Sequence, residues 1–141
     1  MSSSTNTPAH VSVALLSIRI ASALAFLYHG SAILFGAFGG PGPVGFAAFI
    51  HGPTIIGYLV GLAQFAGGLA MLTGVLIRIG AICIIIVMLG ALMVHLPHGY
   101  DITKDGAEYV ITQLLIALAI LIAGGGAYSL GSALPKPLRN L

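Results

Sequence analysis

The stretch IGAICIIIVMLGALMV, from Ile79 to Val94, contains no charged residue in sixteen positions. Arg78 precedes it, and Pro97 follows soon after its end. At a rise of about 1.5 Å per residue, a helix from Arg78 to Leu96 spans roughly 27 Å, close to the thickness of a hydrocarbon core. The stretch is apolar on every side, as expected of a helix in contact with lipid. We therefore predict that it crosses a membrane.

The composition of the whole chain agrees with a membrane protein. Of its 141 residues, 58% are hydrophobic and 6% are charged, and the mean hydropathy is +1.09. In soluble domains about a quarter of all residues are charged. Five basic and three acidic residues are too few for a nucleic-acid surface, so nucleic acid is excluded as a partner. A single cysteine forms no internal disulfide, and the first ten residues lack the basic character of a cleavable signal.

Apolar blocks divide the chain into four predicted spans within one transmembrane domain, residues 1–141. The spans cover residues 11–35, 54–72, 76–96 and 107–123. Thr73-Gly74 predicts a tight turn, and the Gly124-Gly125-Gly126 run is typical of a helix C-terminus. The loop 36–53 contains a Gly/Pro-rich segment, residues 39–43, that we interpret as incompatible with regular helix. The rest of this loop is apolar enough for a short interfacial or re-entrant segment.

Four spans with short connections predict an all-α, antiparallel four-helix bundle with both termini on one side of the membrane. Arg78, Lys136 and Arg139 fall on the side of the termini, whereas Lys104 lies on the opposite side. Because basic residues are enriched in cytoplasmic loops, we predict cytoplasmic termini.

Arg19 is the only charged residue in the first predicted span. Ser22 and His29 follow it at helical spacing, so all three lie on one stripe that we expect to face the interior. A charge at membrane depth costs at least about 2.5 kcal/mol and must be compensated. Two interpretations remain open. Arg19 is either a structural anchor, which bonds to backbone carbonyls or extends to the cytoplasmic head groups, or a cation that holds an anion or the polar head group of a ligand.

The second predicted span has one face of small residues with an amide near its middle. These residues are Gly57, Gly61, Gln64, Gly68 and Met71. Such a face permits close helix contact in lipid. We expect Gln64 to bond to a group on the first span, with Arg19 as the leading candidate. The alternative is a hydrogen bond from the amide to a neighbouring backbone.

A second polar group is expected at the outer side, where the ends of antiparallel helices meet. It comprises His29, His95, His98 and Glu108. Imidazoles and a carboxylate can hold a metal or share a proton. Because no local motif fixes a metal geometry, we predict a hydrogen-bonded cluster and no metal site. For Glu108, its place in the first turn of a helix is a sufficient explanation, since a carboxylate is favoured there.

The order of several short motifs resembles the DoxX family over nearly the whole chain. The motifs are Arg19 early in the first span, Tyr28-His29-Gly30 near its end, Gln64-x-x-Gly67-Gly68-Leu69-Ala70, Gly74-x-x-x-Arg78, His95 ending the third span, Glu108 opening the fourth, and Gly126-Ala127-Tyr128-Ser129-Leu130 after it. The resemblance implies a four-helix protein of the bacterial cytoplasmic membrane, related to the small subunit of thiosulfate:quinone oxidoreductase. It also implies contact with the quinone pool and a redox enzyme as partner. Two departures stand out, since the family often has an acid at the position of Gln64 and an Asp at the position of Gly131.

Three functional hypotheses follow. In the first, the chain is a membrane subunit of a quinone-linked redox complex, without catalytic residues of its own, and a crevice lined by Arg19, His29, Gln64, His95 and Glu108 contacts the quinone. In the second, the chain is a structural anchor in the lipid bilayer that recruits a partner enzyme. In the third, it is a small transporter or channel, which would need oligomers to enclose a pore, with the glycine faces as contacts between copies.

Overall fold

The computed structural model describes residues 7–139 and 141, and this part of the chain is helical without any strand. The predicted all-α class is confirmed. In these residues six helices follow one another, with short 3-10 turns between them. They are α1 Ala9–Phe35, α2 Gly42–Phe49, α3 Thr54–Thr73, α4 Ile77–His95, α5 Glu108–Ala123 and α6 Lys136–Arg139; the 3-10 turns are Ala37–Gly39, Leu96–His98, Ile102–Lys104 and Leu130–Ala133.

Three helices within the described residues are long and apolar enough to cross a membrane. They comprise α1, α3 and the segment Ile77–His98, which extends α4 by a 3-10 turn. The fourth predicted span is the 16-residue apolar helix α5, which is shorter than these three. The protein is therefore a membrane protein by the length and character of its helices.

The predicted helix ends coincide with backbone that favours glycine. α3 ends at Thr73, and Gly74 has a φ of 76°. α5 ends at Ala123, and Gly124 has a φ of 75°. Glycine adopts these left-handed values without the steric cost that a Cβ would cause. The turn at residues 73–74 and the stop at the glycine run are thus both confirmed.

The loop between α1 and α3 contains the short helix α2, which packs against α3. α2 begins at Gly42, with Pro43 in its first turn. The interpretation that residues 39–43 exclude helix is therefore wrong for the last two of them. Proline is tolerated in the first turn because the amide that it lacks has no partner within the helix there.

The long helices pack in the order α1, α3, α4 and α5, and each is in extensive contact with the next. α1 and α3 meet through glycines: a Cβ at Gly30 would lie 2.5 Å from the backbone nitrogen of Phe65. The predicted small-residue face of α3 is buried from Gly57 to Met71. Such close backbone approach supports helix association in lipid, where packing replaces the hydrophobic effect.

Large apolar side chains cover the outside of the packed helices. Leu24, Leu59, Ile86 and Ile122, one from each long helix, are between 58% and 72% exposed. Polar and charged side chains are instead found inside: Ser12, Arg19, Ser22, Gln64 and Gln113 are all buried. This inversion of the soluble pattern is what a helix bundle in lipid requires.

Candidate functional site

The Arg19 side chain is completely buried and donates hydrogen bonds to four backbone carbonyls. Nε donates to Met71 O at 2.8 Å, and Nη2 donates to Leu72 O at 3.1 Å. Nη1 donates to Gly125 O at 2.7 Å and to Tyr128 O at 2.9 Å. We call this region, Arg19 with residues 71–74 and 125–131, the Arg19 end.

These acceptors are carbonyls at and just beyond the C-termini of two helices. Met71 and Leu72 lie in the last turn of α3, and Gly125 follows the end of α5. Helix C-termini carry unpaired carbonyls and a partial negative charge, so a guanidinium is well matched to them. Of the two interpretations of Arg19, the anchor bonded to carbonyls describes the observed contacts.

The predicted hydrogen bond between Arg19 and Gln64 is not formed. The Nε, Nη1 and Nη2 atoms of Arg19 are all occupied by carbonyls. Ser129 adds to the same end, since its hydroxyl donates to Gly74 O at 2.8 Å. The prediction was wrong because helix-end carbonyls, which exist in every sequence, outcompete a single amide on the neighbouring helix.

A cavity of about 520 Å³ lies between the helices, away from Arg19. All four long helices contribute to it, and α2 and the loop 99–107 line it as well. Most of its lining is apolar, and the polar members are His29, Gln64, His95, Asp105 and Tyr109. A largely apolar cavity of this size with a few polar side chains is the usual form of a small-molecule site.

The Gln64 side chain and the hydroxyl of Tyr109 are buried polar groups in the cavity lining. Gln64 is 6% exposed, and no hydrogen bond joins its amide to any residue that the structure describes. The Tyr109 hydroxyl is buried and also has no partner among these residues. A buried polar group without a partner costs about 1–3 kcal/mol, so the Tyr109 hydroxyl is at a disadvantage in the protein alone.

His29 lies next to Tyr109 in the cavity. The two rings are 5.9 Å apart between centroids and tilted by 54°. The inward position predicted for the stripe holds for Arg19 and Ser22, which are fully buried, whereas His29 remains exposed at the cavity. The Tyr28 ring lies edge-on against His29 at 5.4 Å and stacks on Phe38.

Gln113 on α5 provides an internal comparison for Gln64. It is 8% exposed, nearly the same as Gln64, but its Oε1 accepts a hydrogen bond from the Ser22 hydroxyl at 3.0 Å. Gln113 is not part of the cavity lining. One buried glutamine is therefore satisfied by the protein, and the other is not.

The outer polar group is only partly assembled as predicted. His95 and His98 both approach Asp105, whereas His29 lies in the cavity beside Tyr109. Glu108 opens α5, and its Oε2 accepts a hydrogen bond from the Ile102 backbone nitrogen at 3.3 Å. The structure thus gives Glu108 a local structural contact, and Asp105 takes the acidic place in the histidine cluster.

Of the five residues predicted to bind a cofactor, His29, Gln64 and His95 line the cavity, while Arg19 and Glu108 lie outside it. Binding by any of them remains a prediction.

Sequence reasoning missed Tyr109 and Asp105. A signal for Tyr109 was present, because it lies four residues before the polar Gln113 in a largely apolar helix, and that spacing places both on one side. No local pattern distinguishes Asp105 from the other acidic residues of this part of the chain.

Comparison with known proteins identifies the family. A sequence model described as DoxX matches residues 14–96, which is more than half of the chain. The match includes nearly all of α1 and all of α2, α3 and α4, and with them His29, Gln64 and His95, whereas Asp105 and Tyr109 lie beyond it. No curated protein and no solved structure matches the chain significantly. The chain therefore belongs to the DoxX family and is a small membrane protein with apolar helices.

Proposed function

We propose that the protein is a membrane subunit of a quinone-linked redox complex and that its cavity receives the quinone head group. The observation that carries the proposal is a mostly apolar cavity whose lining includes the buried Tyr109 hydroxyl, which has no hydrogen-bond partner among the described residues, and Gln64, whose amide bonds to none of them. An apolar ligand with hydrogen-bond acceptors would offset this cost.

The chemistry of a quinone fits these groups. Its ring is flat and apolar, and its two carbonyl oxygens accept hydrogen bonds. The Gln64 amide and the Tyr109 hydroxyl each have a proton to donate, and a His29 ring nitrogen supplies a third donor in the appropriate tautomer. Phe26, Ile33 and Met88 in the lining provide apolar contact for the ring and the first part of its tail.

Arg19 supports this site indirectly. Its bonds to the ends of α3 and α5 fix the relative positions of helices that also line the cavity. In this proposal Arg19 is a positioning residue, and the ligand contacts come from the cavity side chains. His95 lies on the α4 part of the cavity lining.

The proposed setting is the bacterial cytoplasmic membrane, with α1, α3, α4 and α5 as four antiparallel spans and both termini cytoplasmic. α5 extends about 24 Å at 1.5 Å per residue, and lipid deformation and flanking residues accommodate a span of that length. In this proposal the electron transfer takes place in a partner enzyme.

The decisive test is quinone binding by the purified protein in lipid nanodiscs. A short-chain benzoquinone and a short-chain naphthoquinone serve as probes, and the shift of the unfolding temperature and Kd are measured. We expect binding by the wild type and an affinity reduced about three- to tenfold in each of Gln64→Leu and Tyr109→Phe, the value of one hydrogen bond. Unchanged affinity in both variants would reject the site.

Gln113→Leu is the matched control, because it removes an equally buried amide that lies outside the cavity lining. We expect folded Gln113→Leu protein to bind quinone as tightly as the wild type. A redox enzyme that copurifies with the tagged chain, combined with no quinone binding by either probe, would instead support the structural anchor.

A further inference from the structure

Three side chains with metal-binding atoms meet where α4 joins the loop 99–107. Nδ1 of His95 is 3.2 Å from Oδ1 of Asp105, and Nδ1 of His98 is 3.6 Å from Oδ2 of the same carboxylate. One ligand atom from each residue lies within 4.8 Å of the others. Within the part of the chain that the structure describes, this is the one group of three such residues at metal-binding distance.

The separations match those of ligands around a tetrahedral ion. Zinc binds imidazole nitrogen and carboxylate oxygen at about 2.0–2.2 Å, so two ligands at the tetrahedral angle are about 3.4 Å apart. The observed 3.2 and 3.6 Å lie on either side of this value, although each runs to a different oxygen of Asp105. Because the three ligand atoms all lie within 4.8 Å of one another, side-chain rotation is what brings them to a common ion.

The backbone holds the three residues in place. His95 and His98 are three residues apart across the junction of α4 and the 3-10 turn Leu96–His98, a spacing that puts them on the same side. Asp105 has a φ of 62°, a left-handed conformation that Asp tolerates better than most residues. A Cβ on Gly106 would lie 2.6 Å from Asp101 O, so the chain turns tightly beside the cluster.

Hydrogen bonds order the loop that carries Asp105. The Gly106 nitrogen donates to Asp101 O, and the Ala107 nitrogen donates to Gly99 O, both at 2.9 Å. Thr103 donates to Asp101 through both its hydroxyl and its backbone nitrogen, and these bonds hold the pKa of Asp101 below its usual value. A ligand set on such an ordered loop loses little conformational entropy on binding an ion.

We propose that His95, His98 and Asp105 form a binding site for a divalent transition metal ion, with Zn²⁺ as the best match. Two imidazoles and one carboxylate suit zinc and its neighbours, whereas Mg²⁺ and Ca²⁺ prefer sets of oxygen ligands. Three protein ligands leave one coordination position open for water or another small ligand.

The ion would reach the site from the aqueous side. The side chains of His95, His98 and Asp105 are 25%, 49% and 63% exposed. His95 Nδ1 also lies 2.9 Å from Asp105 O, and this hydrogen bond is given up when the nitrogen binds the ion.

Bound metal would link α4 to the loop that closes one side of the cavity. His95 and Asp105 belong to both the cluster and the cavity lining, and Ile102 and Gly106 of the same loop line the cavity as well. The site thus lies at the rim of the cavity. The metal site does not depend on the proposed quinone function, because its ligands are separate from Gln64 and Tyr109.

The test is a zinc titration of the full chain, purified with an affinity tag that contains no histidine and stripped with a chelator. Bound zinc is measured by calorimetry and by elemental analysis after desalting. We expect one equivalent in the wild type and at least about tenfold weaker binding in His98→Ala and Asp105→Asn, which remove ligands at exposed positions. His10→Ala removes an exposed histidine of α1 and is expected to bind as the wild type does.

Two further measurements keep the result unambiguous. Circular dichroism of each variant checks that helix content is unchanged, and the visible spectrum of the Co²⁺ form reports four-coordinate geometry. Gln64→Leu, which alters the cavity alone, is expected to retain the metal. Absence of stoichiometric zinc in the wild type would overturn the proposal. So would a zinc affinity in both His98→Ala and Asp105→Asn that equals that of the wild type.

Discussion

The two polar regions inside this protein, the Arg19 end and the cavity, differ in whether the protein supplies hydrogen-bond partners for their polar side chains. At the Arg19 end a guanidinium finds four carbonyl acceptors within 3.1 Å, so a costly charge is satisfied by the protein. In the cavity Gln64 and Tyr109 find no partner among the described residues. The contacts of the first region are those of a structural anchor, whereas the second region is where we propose that a ligand binds. Buried polarity in a membrane protein is therefore informative only once its partners are known.

The largest expected loss of stability comes from removing the Arg19 side chain. Arg19→Ala would leave four carbonyls without their donor and a void in a fully buried position. We expect a loss of about 3 kcal/mol or more in the free energy of unfolding, and little folded protein in the membrane. The yield of monodisperse protein in detergent and its unfolding temperature measure this effect.

Arg78→Ala is the control for Arg19→Ala, since Arg78 is an exposed arginine in the first turn of α4. It should change stability by less than about 0.5 kcal/mol. Equal losses in the two variants would show that the carbonyl contacts of Arg19 contribute no special stability.

The next comparison uses the two buried glutamines. Gln113→Leu removes the acceptor of the Ser22 hydroxyl and should lower stability by about 1–3 kcal/mol. Gln64→Leu replaces an unpaired amide by an apolar side chain of similar size and should leave the stability of the ligand-free protein unchanged or higher. Thermal unfolding of both variants in the same detergent is the measurement. A larger loss in Gln64→Leu would mean that Gln64 has a structural partner.

Tyr109→Phe is expected to raise the stability of the ligand-free protein, by less than Gln113→Leu lowers it. It removes a buried hydroxyl with no partner, so the ligand-free protein should gain about 1 kcal/mol. With a quinone present the gain should shrink, because the wild type then has a bonded hydroxyl. A lower unfolding temperature of the ligand-free variant would contradict the assignment of Tyr109 as unsatisfied.

The smallest expected effect returns to the Arg19 end. Ser129→Ala removes the hydroxyl that donates to Gly74 O and accepts from the Gly131 nitrogen at 3.2 Å. We expect a loss of about 0.5–1.5 kcal/mol, since Arg19 still holds this end together. Chemical unfolding at equilibrium resolves a change of this size. A loss as large as that of Arg19→Ala would give the serine, and not the guanidinium, the main role.

The architecture was largely predictable because lipid leaves few choices. Continuous apolar segments must form helices that satisfy their own backbone, and glycines such as Gly74 and Gly124 mark where these helices end. A short interfacial or re-entrant segment was expected in the loop that contains α2, whereas a helix that begins at Gly42 was not. The inward position of Arg19 also followed from the cost of a charge in lipid.

The contacts between helices were less predictable, because they depend on geometry that spacing does not contain. Nothing in the sequence distinguishes the carbonyls of Met71 and Gly125 from any others, so the true acceptors of Arg19 had no signature. Asp105 joined the histidines through the path of a short loop, while Glu108 satisfied that loop's backbone instead. The pairing of Ser22 with Gln113 likewise depends on how α5 docks beside α1.

The hydrogen bonds of Arg19 also constrain the order in which the protein is assembled during synthesis. Its first two acceptors lie 52 and 53 residues later in the chain, and the other two lie 106 and 109 residues later. The helix that carries Arg19 is therefore synthesised before the carbonyls that accept hydrogen bonds from its guanidinium. We expect nascent α1 to remain near the translocon or the lipid head groups until α5 and the segment that follows it have been inserted.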